Sequence, residues 1–600
     1  MLRFNSLPQI LVVTLLGVGL PVLQAATLPS TGLMGVVKSS DGNPMEGVAI
    51  SARAHDKRFT TSVYTDGAGQ YYFPPLADGQ YRIWAQAVSF EAARSELTIA
   101  SGKKIQKNFT MKALQNFEKQ LSSAEWLDSL PDDTPQDARM KRIFSYTCSA
   151  CHIPGFVLAK RFDAASWGMI IDYMIEHETS PDSANRGLIQ FYKKELVEYL
   201  TRIRGPEPYS WKFKQRPRAS GEATQIVVTE YDLPKGDQPD FILRHNGSDW
   251  FEGIPSKDAE GEAVHDAVVA KDGTVWFSDF RTPERTIGKL DPKTGLVTSY
   301  KLADKDGFAV RTHGIVADQK GNIWSTNGSE GALLKFDPKT EKFQRFPKQP
   351  SLPPGVGGMV MVDSKGNLWV PHRNGAFRLN PETGEYTEYK NPTPGGNPYG
   401  IAIDAEDNAW TARFWADRLN VVNGRTGEVS EVNLPPLDVE EIREKDREIG
   451  QRLEAPYAAW LGVSPLYRKG PRRLGADRRG DTVWVAEYYA DKLAKINIHT
   501  KQITEYPVVP PHGRVYDVRV DKNHMVWLAL MNADRLVKFN PFTEQFAEYP
   551  LPTRGTDIRF LDVDNRTDPP TIWLPYTQVY KIARVQFRTS SPGQTAVNGR

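Results

Sequence analysis

The chain of 600 residues is poor in cysteine, in excess charge and in long hydrophobic runs. It holds only two cysteines, Cys148 and Cys151. So few exclude a disulfide-stapled scaffold, and a bridge across so short a loop would remove little unfolded-state entropy from a chain long enough to build several cores. Lys and Arg number 75 against 73 Asp and Glu, a formal net charge of +2, which argues against the broad basic face of a nucleic-acid-binding protein. After residue 26 no run is apolar enough to cross a membrane. The one apolar stretch, Ile10 to Leu23, lies behind Arg3, is broken by glycines and a proline, and leads to Ala25 and Ala26. It falls short of the ~20 residues of a bilayer-spanning helix and reads as a secretory signal peptide over residues 1–26. The expectation is an exported, periplasmic chain with no membrane span after cleavage. In that compartment an uncommitted thiol pair would oxidise.

The two thiols are three positions apart, and His152 directly follows the second. This is the attachment pattern of a c-type haem. Thiols one helical turn apart reach the vinyl groups on one porphyrin edge, and the adjacent imidazole faces the iron. Zinc would need two further N or S ligands at matching spacing, and none follows nearby. A redox dithiol would need a strand before it and a βαβ unit after it. Two helices follow the motif: "DAASWGMIIDYMIEHE" with Asp163 as N-cap, and "RGLIQFYKKELVEYLTRIRG" closed by Gly205. Residues 120–205 resemble compact monohaem cytochrome c domains through this motif and through Arg161, Trp167, Met174, Tyr199 and Leu200. The resemblance implies one covalent haem c on Cys148, Cys151 and His152, with Met174 as sixth iron ligand and His177 or Met169 as alternatives. Trp167 and Met174 share a helix face, Met169 lies off it, and His177 sits a turn beyond Met174. Core packing is the other fate open to Met174.

Residues 30–112 have short alternating strands broken by Asp-Gly, Asn-Pro and Ala-Asp-Gly turns, the punctuation of a β-sandwich. The pieces "DGNPMEGVAI", "TDGAGQYYFPPL" and "GQYRIWA" resemble a carboxypeptidase regulatory-like domain, which implies an accessory role. Beyond residue 206 the chain repeats. Units start at His265, His313, Gly357, Tyr399, Tyr516 and Thr556, and one more is recognisable near Asp481. Each reads strand, tight turn, Trp-bearing strand, strand, Pro-x-Thr-Gly or similar turn, strand, which is a four-stranded propeller blade. The seventh unit lacks its last strand, and "QIVVTEYDLP" at 225–234 matches the outer strands of other units, so it is expected to close the ring. The fold class is therefore multidomain and mainly β: a sandwich, a small helical haem domain, and a seven-bladed propeller over 225–587. An insertion at about 435–480 reads as a charged helix followed by a basic, solvated loop, "YRKGPRRLGADRRG".

The blades resemble the virginiamycin B lyase family in their "H-G-I" strand starts and "W-F-x-E/D" second strands. The resemblance implies a polar funnel lined by His265, His313, Tyr399 and Tyr516 at strand starts, and by Asp279, Asn327, His372, Arg413, Glu487 and Tyr576 three past each Trp. In that family two histidines act with magnesium-holding carboxylates. His265 and His313 match the histidines, but the carboxylate positions are Arg311 and Gly328, and only Asp279 or Glu487 could substitute. Three readings follow. The first is electron transfer between the haem and a redox partner protein or small-molecule ligand at the funnel. The second is a magnesium-dependent lyase acting on a cyclic depsipeptide or related ester. The third is a non-catalytic binding scaffold.

Overall fold

The computed structural model describes residues 31–588 apart from 151, 178–183, 236–237, 239–240, 257–263, 328–330, 349–357, 373, 394–395, 397, 439–442 and 454–464. The expected signal peptide, Cys151, Gly328 and Gly357 lie outside the described residues. The chain is mainly β and multidomain. Its N-terminal unit is a sandwich. In one sheet Gly32–Ser39 runs antiparallel to Gln70–Tyr72 and parallel to Lys104–Gln106 and Phe109–Met111. The facing sheet has the order Phe59–Tyr64, Ala49–Ala54, Gly79–Gln86, Ala93–Ile99. Val37, Val48, Ile50, Val63 and Ile83 fill the space between them.

Six four-stranded antiparallel sheets span 264–300, 315–347, 361–390, 398–433, 471–507 and 515–550. The seventh consists of Asp562–Asp564, Thr571–Tyr576 and Lys581–Phe587, completed by Ile226–Asp232, which pairs with Lys581–Phe587 along its length. The innermost strand of the first sheet, Val264–Val269, packs against the seventh and closes the ring. The sequence repeat has a local cause. In four blades an Asp at the first turn accepts the indole N–H of the Trp six residues on: Asp318 from Trp324, Asp363 from Trp369, Asp404 from Trp410 and Asp521 from Trp527, at 2.8–2.9 Å. Each bond fixes the turn and seats the Trp between blades.

The closing strand has a second partner that its sequence does not reveal. Its free edge pairs with Phe59–Tyr64, from Phe59 opposite Tyr231 to Val63 opposite Val227, so the sandwich and the seventh blade share one eight-stranded sheet. No edge remains at the seam to recruit another chain.

Between sandwich and propeller lie helices α1 (Ser123–Ser129), α2 (Pro135–Thr147), α3 (Pro154–Leu158), α4 (Ala164–His177) and α5 (Ala184–Arg204). Ser122 and Glu125 cap α1 reciprocally, Thr134 caps α2, and the Asp163 carboxylate accepts the Ser166 amide at the start of α4. Their apolar faces join propeller side chains in one core: Trp126, Phe144, Trp167, Leu188, Tyr192, Leu196 and Leu200 cluster with Phe414, Tyr488, Tyr516 and Met531. The helical unit is thereby seated on one mouth of the ring.

The insertion contributes α6 (Glu444–Leu453), the expected charged helix. Its Asp446 is buried and accepts two bonds from Arg139 of α2 and one from Tyr192 of α5. The basic stretch after it corrects the expectation of a solvated loop. Pro471–Ala476 is the innermost strand of the fifth sheet, and Lys469 and Arg473 are fully buried. Ring closure demands a strand at this place, and ion pairs with neighbouring carboxylates make its charges tolerable there.

Candidate functional site

Four innermost strands break register near their starts, between Val264 and Ala267, Pro398 and Gly400, Pro471 and Leu474, and Val515 and Asp517. A bulge bends a strand locally and re-aims its side chains. The residues in these four breaks are His265 and Asp266, Tyr399, Arg472 and Arg473, and Tyr516. Together with His313 they converge at the channel.

The imidazoles of His265 and His313 lie 3.7 Å apart between centroids. His265 Nδ1 meets Asp266 Oδ1 at 2.6 Å, and Arg473 Nη2 donates to the same oxygen at 3.0 Å. His313 Nδ1 lies 2.7 Å from the Gly358 carbonyl. A carbonyl only accepts, so Nδ1 carries the proton and Nε2 of the neutral ring is an acceptor. Tyr399 Oη donates to that Nε2 at 3.1 Å, Tyr516 Oη donates to Tyr399 Oη at 2.7 Å, and Arg472 Nη2 donates to Tyr516 Oη at 2.8 Å. The chain Arg472, Tyr516, Tyr399, His313 thus has one fixed donor direction. Gly358 is needed for it, because a Cβ there would stand 3.0 Å from His313 and 3.1 Å from Tyr399.

Burial, reinforced by the facing His265, keeps His313 neutral well below the usual imidazole range. Burial raises the Asp266 and Asp517 carboxyls above theirs, against the pull of Arg473 and Arg519. Burial would raise the Tyr399 hydroxyl too, but Arg472 and Arg473 outweigh it and hold it below the ordinary phenol range.

The structure brings His265, His313, Tyr399 and Tyr516 together and takes Asp279 and Glu487 elsewhere. Asp279 is buried and binds Thr282, Arg285 and Tyr580. Glu487 stands 3.8 Å from Lys469, and its carboxyl is pushed up to about 8, chiefly by burial. Arg413 pairs with Glu431 at 2.5 Å, and His372 stacks on Phe377 at 4.0 Å. These positions were expected in the funnel. They belong to second strands, one strand removed from the axis, and their side chains meet partners outside the His–Tyr cluster. Sequence reasoning missed Asp266, Arg472 and Arg473. Their signal was present: "PRRLG" aligns with "VHDAV", "PYGIA" and "VYDVR" once the innermost strands are superposed.

His265, Asp266 and His313 offer ligand atoms within 4.8 Å of one another. The set does not suit magnesium, which demands oxygen ligands; two are imidazoles and the one carboxylate is already held by Arg473. Arg311 is exposed.

On the helical side, Cys148 ends α2 and packs against the shared core, and burial raises its thiol to about 11. His152 and Phe156 lie 5.7 Å apart between ring centroids. Met174 is half-buried on α4, Met169 is 66 % exposed, and the exposed His177 has Nδ1 2.9 Å from the Tyr173 carbonyl. Among the described residues, Cys148, His152 and Met174 are donors of the kind that a covalently held haem takes. Met169, Ile170, Tyr173, Met174 and Ile175 leave α4 with a broad apolar surface, while only Trp167 and Ile171 are buried. Trp167 Nε1 and Tyr199 Oη are buried donors with no hydrogen-bond partner among the described residues, and propionates accept such donors.

An aromatic column joins this region to the funnel. Tyr146, two residues before Cys148, stacks on Tyr489 at 4.1 Å; Tyr489 contacts Tyr488 at 4.9 Å, and Tyr488 contacts Tyr516 at 5.8 Å. Arg514 lies over Tyr488 and Tyr489 and donates to the carbonyls of Ser145 and Ser149, at the C-terminal end of α2, where a cation is favoured.

Residues 32–112 match the carboxypeptidase regulatory-like domain family. No curated protein matches this chain. Among solved structures, a streptogramin B lyase is 18 % identical, with 62 % of this chain and 100 % of that one covered at a TM-score of 0.46. A catalytically inactive virginiamycin B lyase from Staphylococcus aureus with quinupristin is 15 % identical, with 60 % and 100 % covered at 0.45. The extracellular domain of BT4673 from B. thetaiotaomicron is 16 % identical, with 54 % and 40 % covered at 0.38. The chain is thus similar to a carboxypeptidase regulatory-like domain at its N-terminus and has propeller neighbours of the virginiamycin B lyase kind.

Proposed function

We propose that this is an exported c-type haem protein whose propeller funnel binds a ligand or partner and exchanges electrons with the haem. Cys148 and Cys151 would hold the group, with His152 and Met174 as its iron ligands, and it would supply reversible one-electron chemistry. The observation that carries the reading is the seating of the end of α2, with Cys148, on the funnel mouth. Tyr146 stacks on Tyr489 and Arg514 grips the end of α2, so motif and funnel are one packed unit rather than tethered modules. The funnel residues bind and orient. His313 accepts a hydrogen bond from Tyr399 through a fixed tautomer, Arg473 holds Asp266 against His265, and the helical unit covers the mouth on its side. A ligand seated there would be close to the aromatic column, and covalent linkage of both sites keeps the electron acceptor at high effective concentration.

Protein recovered from a periplasm competent for c-type maturation should show one reversible one-electron couple, and a Cys148→Ser, Cys151→Ser double variant should show none. A wild-type protein without a couple would end the reading. The lyase reading has the adjacent His265 and His313 in its favour, but the Arg473 guanidinium on Asp266 opposes the metal that it requires.

A further inference from the structure

The funnel contains an arginine whose charge no carboxylate among the described residues balances. Four arginines act on the cluster of Asp266, Tyr399 and Tyr516. Arg559 is clasped by Asp557 at 2.9 and 2.7 Å, Arg519 by Asp517 at 2.9 Å, and Arg473 by Asp266 at 3.0 Å. Arg472 has no acidic partner among the described residues. Its guanidinium donates to the Tyr516 hydroxyl and stands 4.0, 4.6, 4.8 and 4.9 Å from the ring centroids of Tyr516, Tyr488, Tyr399 and Phe414. Ring faces replace only part of the hydration that a buried guanidinium gives up. Arg472 Nε, and both Nε and Nη1 of the fully buried Arg473, have no hydrogen-bond partner among the described residues. His313, Tyr399 and Arg472 are half-buried, whereas His265, Arg473 and Tyr516 behind them are buried. The first three are therefore the members of this group that solvent reaches.

We propose that this aromatic cage binds the carboxylate of a small organic acid. The proposal rests on the funnel reading above and names its ligand class. One unbalanced positive charge calls for a monoanion, and a dianion such as a phosphate ester would leave surplus negative charge in a buried place. The planar guanidinium fork matches a planar carboxylate, and a charge-assisted bond is the strong kind. Of the four rings around Arg472, only Tyr399 is half-buried, so an apolar or aromatic body behind the carboxylate would lie against that ring. The one internal alternative is that Tyr399 ionises and serves as the counter-ion itself.

The test is calorimetric titration of the full-length protein at neutral pH with benzoate, set against benzylamine, a cation of the same shape, and against inorganic phosphate. Benzoate should bind at one site, while benzylamine and phosphate should not bind there. Arg472→Met should weaken benzoate by about 100-fold, and Arg472→Lys, which keeps the charge without the fork, by about tenfold. The lysine variant carries the comparison if the methionine variant does not fold. No benzoate binding by the wild type, or unchanged affinity in the charge-deleted variant, overturns the proposal. So does a tyrosinate absorbance in the ligand-free protein that disappears in Tyr399→Phe. Repeating the titration on the Cys148→Ser, Cys151→Ser protein separates the two claims. Benzoate binding without a haem couple in the wild type would refute electron transfer and leave the anion site standing.

Discussion

Asp446 is the clamp between the insertion and the helical unit, and its removal gives a calculable effect. Its side chain is 0 % exposed. It accepts Arg139 Nε at 2.9 Å and Nη2 at 2.7 Å, Tyr192 Oη at 2.6 Å and Tyr467 Oη at 3.1 Å. Breaking a buried ion pair from one side costs about 3–5 kcal/mol. Glu195 stays on Arg139 at 2.6 Å, so Asp446→Ala should fall at the low end, about 3 kcal/mol, or about a hundredfold in the local opening equilibrium. Asp446→Asn keeps an acceptor for the tyrosines and should lose about half of that. The assay is amide hydrogen exchange in α2 and α5, which reads opening of this unit without requiring the whole chain to unfold in one step. Burial would raise the Asp446 carboxyl, but the Arg139 and Tyr192 bonds outweigh it and hold it below the usual range. A depressed carboxylate contributes fully above its unfolded value of about 4 and loses its contribution as pH falls through the folded one. Protection of α5 should therefore fall in acid in the wild type and much less in Asp446→Ala. Exchange in α2 and α5 unchanged by Asp446→Ala at neutral pH would refute the clamp.

Glu487 has the opposite sign. With its carboxyl pushed up to about 8, it holds a proton that the unfolded chain gives up, so stability should decline as pH rises from about 4.5 through 8, and Glu487→Gln should flatten that decline in denaturant titrations. Deleting residues 31–112 should free the edge of Ile226–Asp232 and cause association visible by light scattering, whereas a monodisperse truncated protein would show that the shared sheet is dispensable. If Met174 binds the iron, Met174→Leu should abolish the weak near-infrared sulfur-to-iron band of the oxidised protein and lower the potential; a retained band would move the ligand to Met169, and two nitrogen ligands in the wild type would favour His177.

The repeat was legible because each blade must place a Trp against its neighbour and a turn before it, and both leave fixed spacings. The closing strand was legible for the same reason, since Ile226–Asp232 keeps the outer-strand pattern. What was not legible came from tertiary context. "YRKGPRRLGADRRG" has the composition of a solvated loop, yet ring closure places Arg473 beside Asp266, some 200 positions away in sequence. Position alone suggested that residues three past each Trp face the channel, but the bulges that re-aim His265, Tyr399, Arg472 and Tyr516 act on the innermost strands. The pairing of Phe59–Tyr64 with the closing strand joins two units whose patterns are each complete alone.

The central claim is that the Cys-x-x-Cys-His segment seated on the funnel carries haem. The direct measurement is the mass of the tryptic peptide spanning 143–160, taken from protein exported through a maturation-competent periplasm. That peptide is expected to carry one haem added across Cys148 and Cys151. Recovery of the same peptide with two free thiols or with a Cys148–Cys151 disulfide would contradict it.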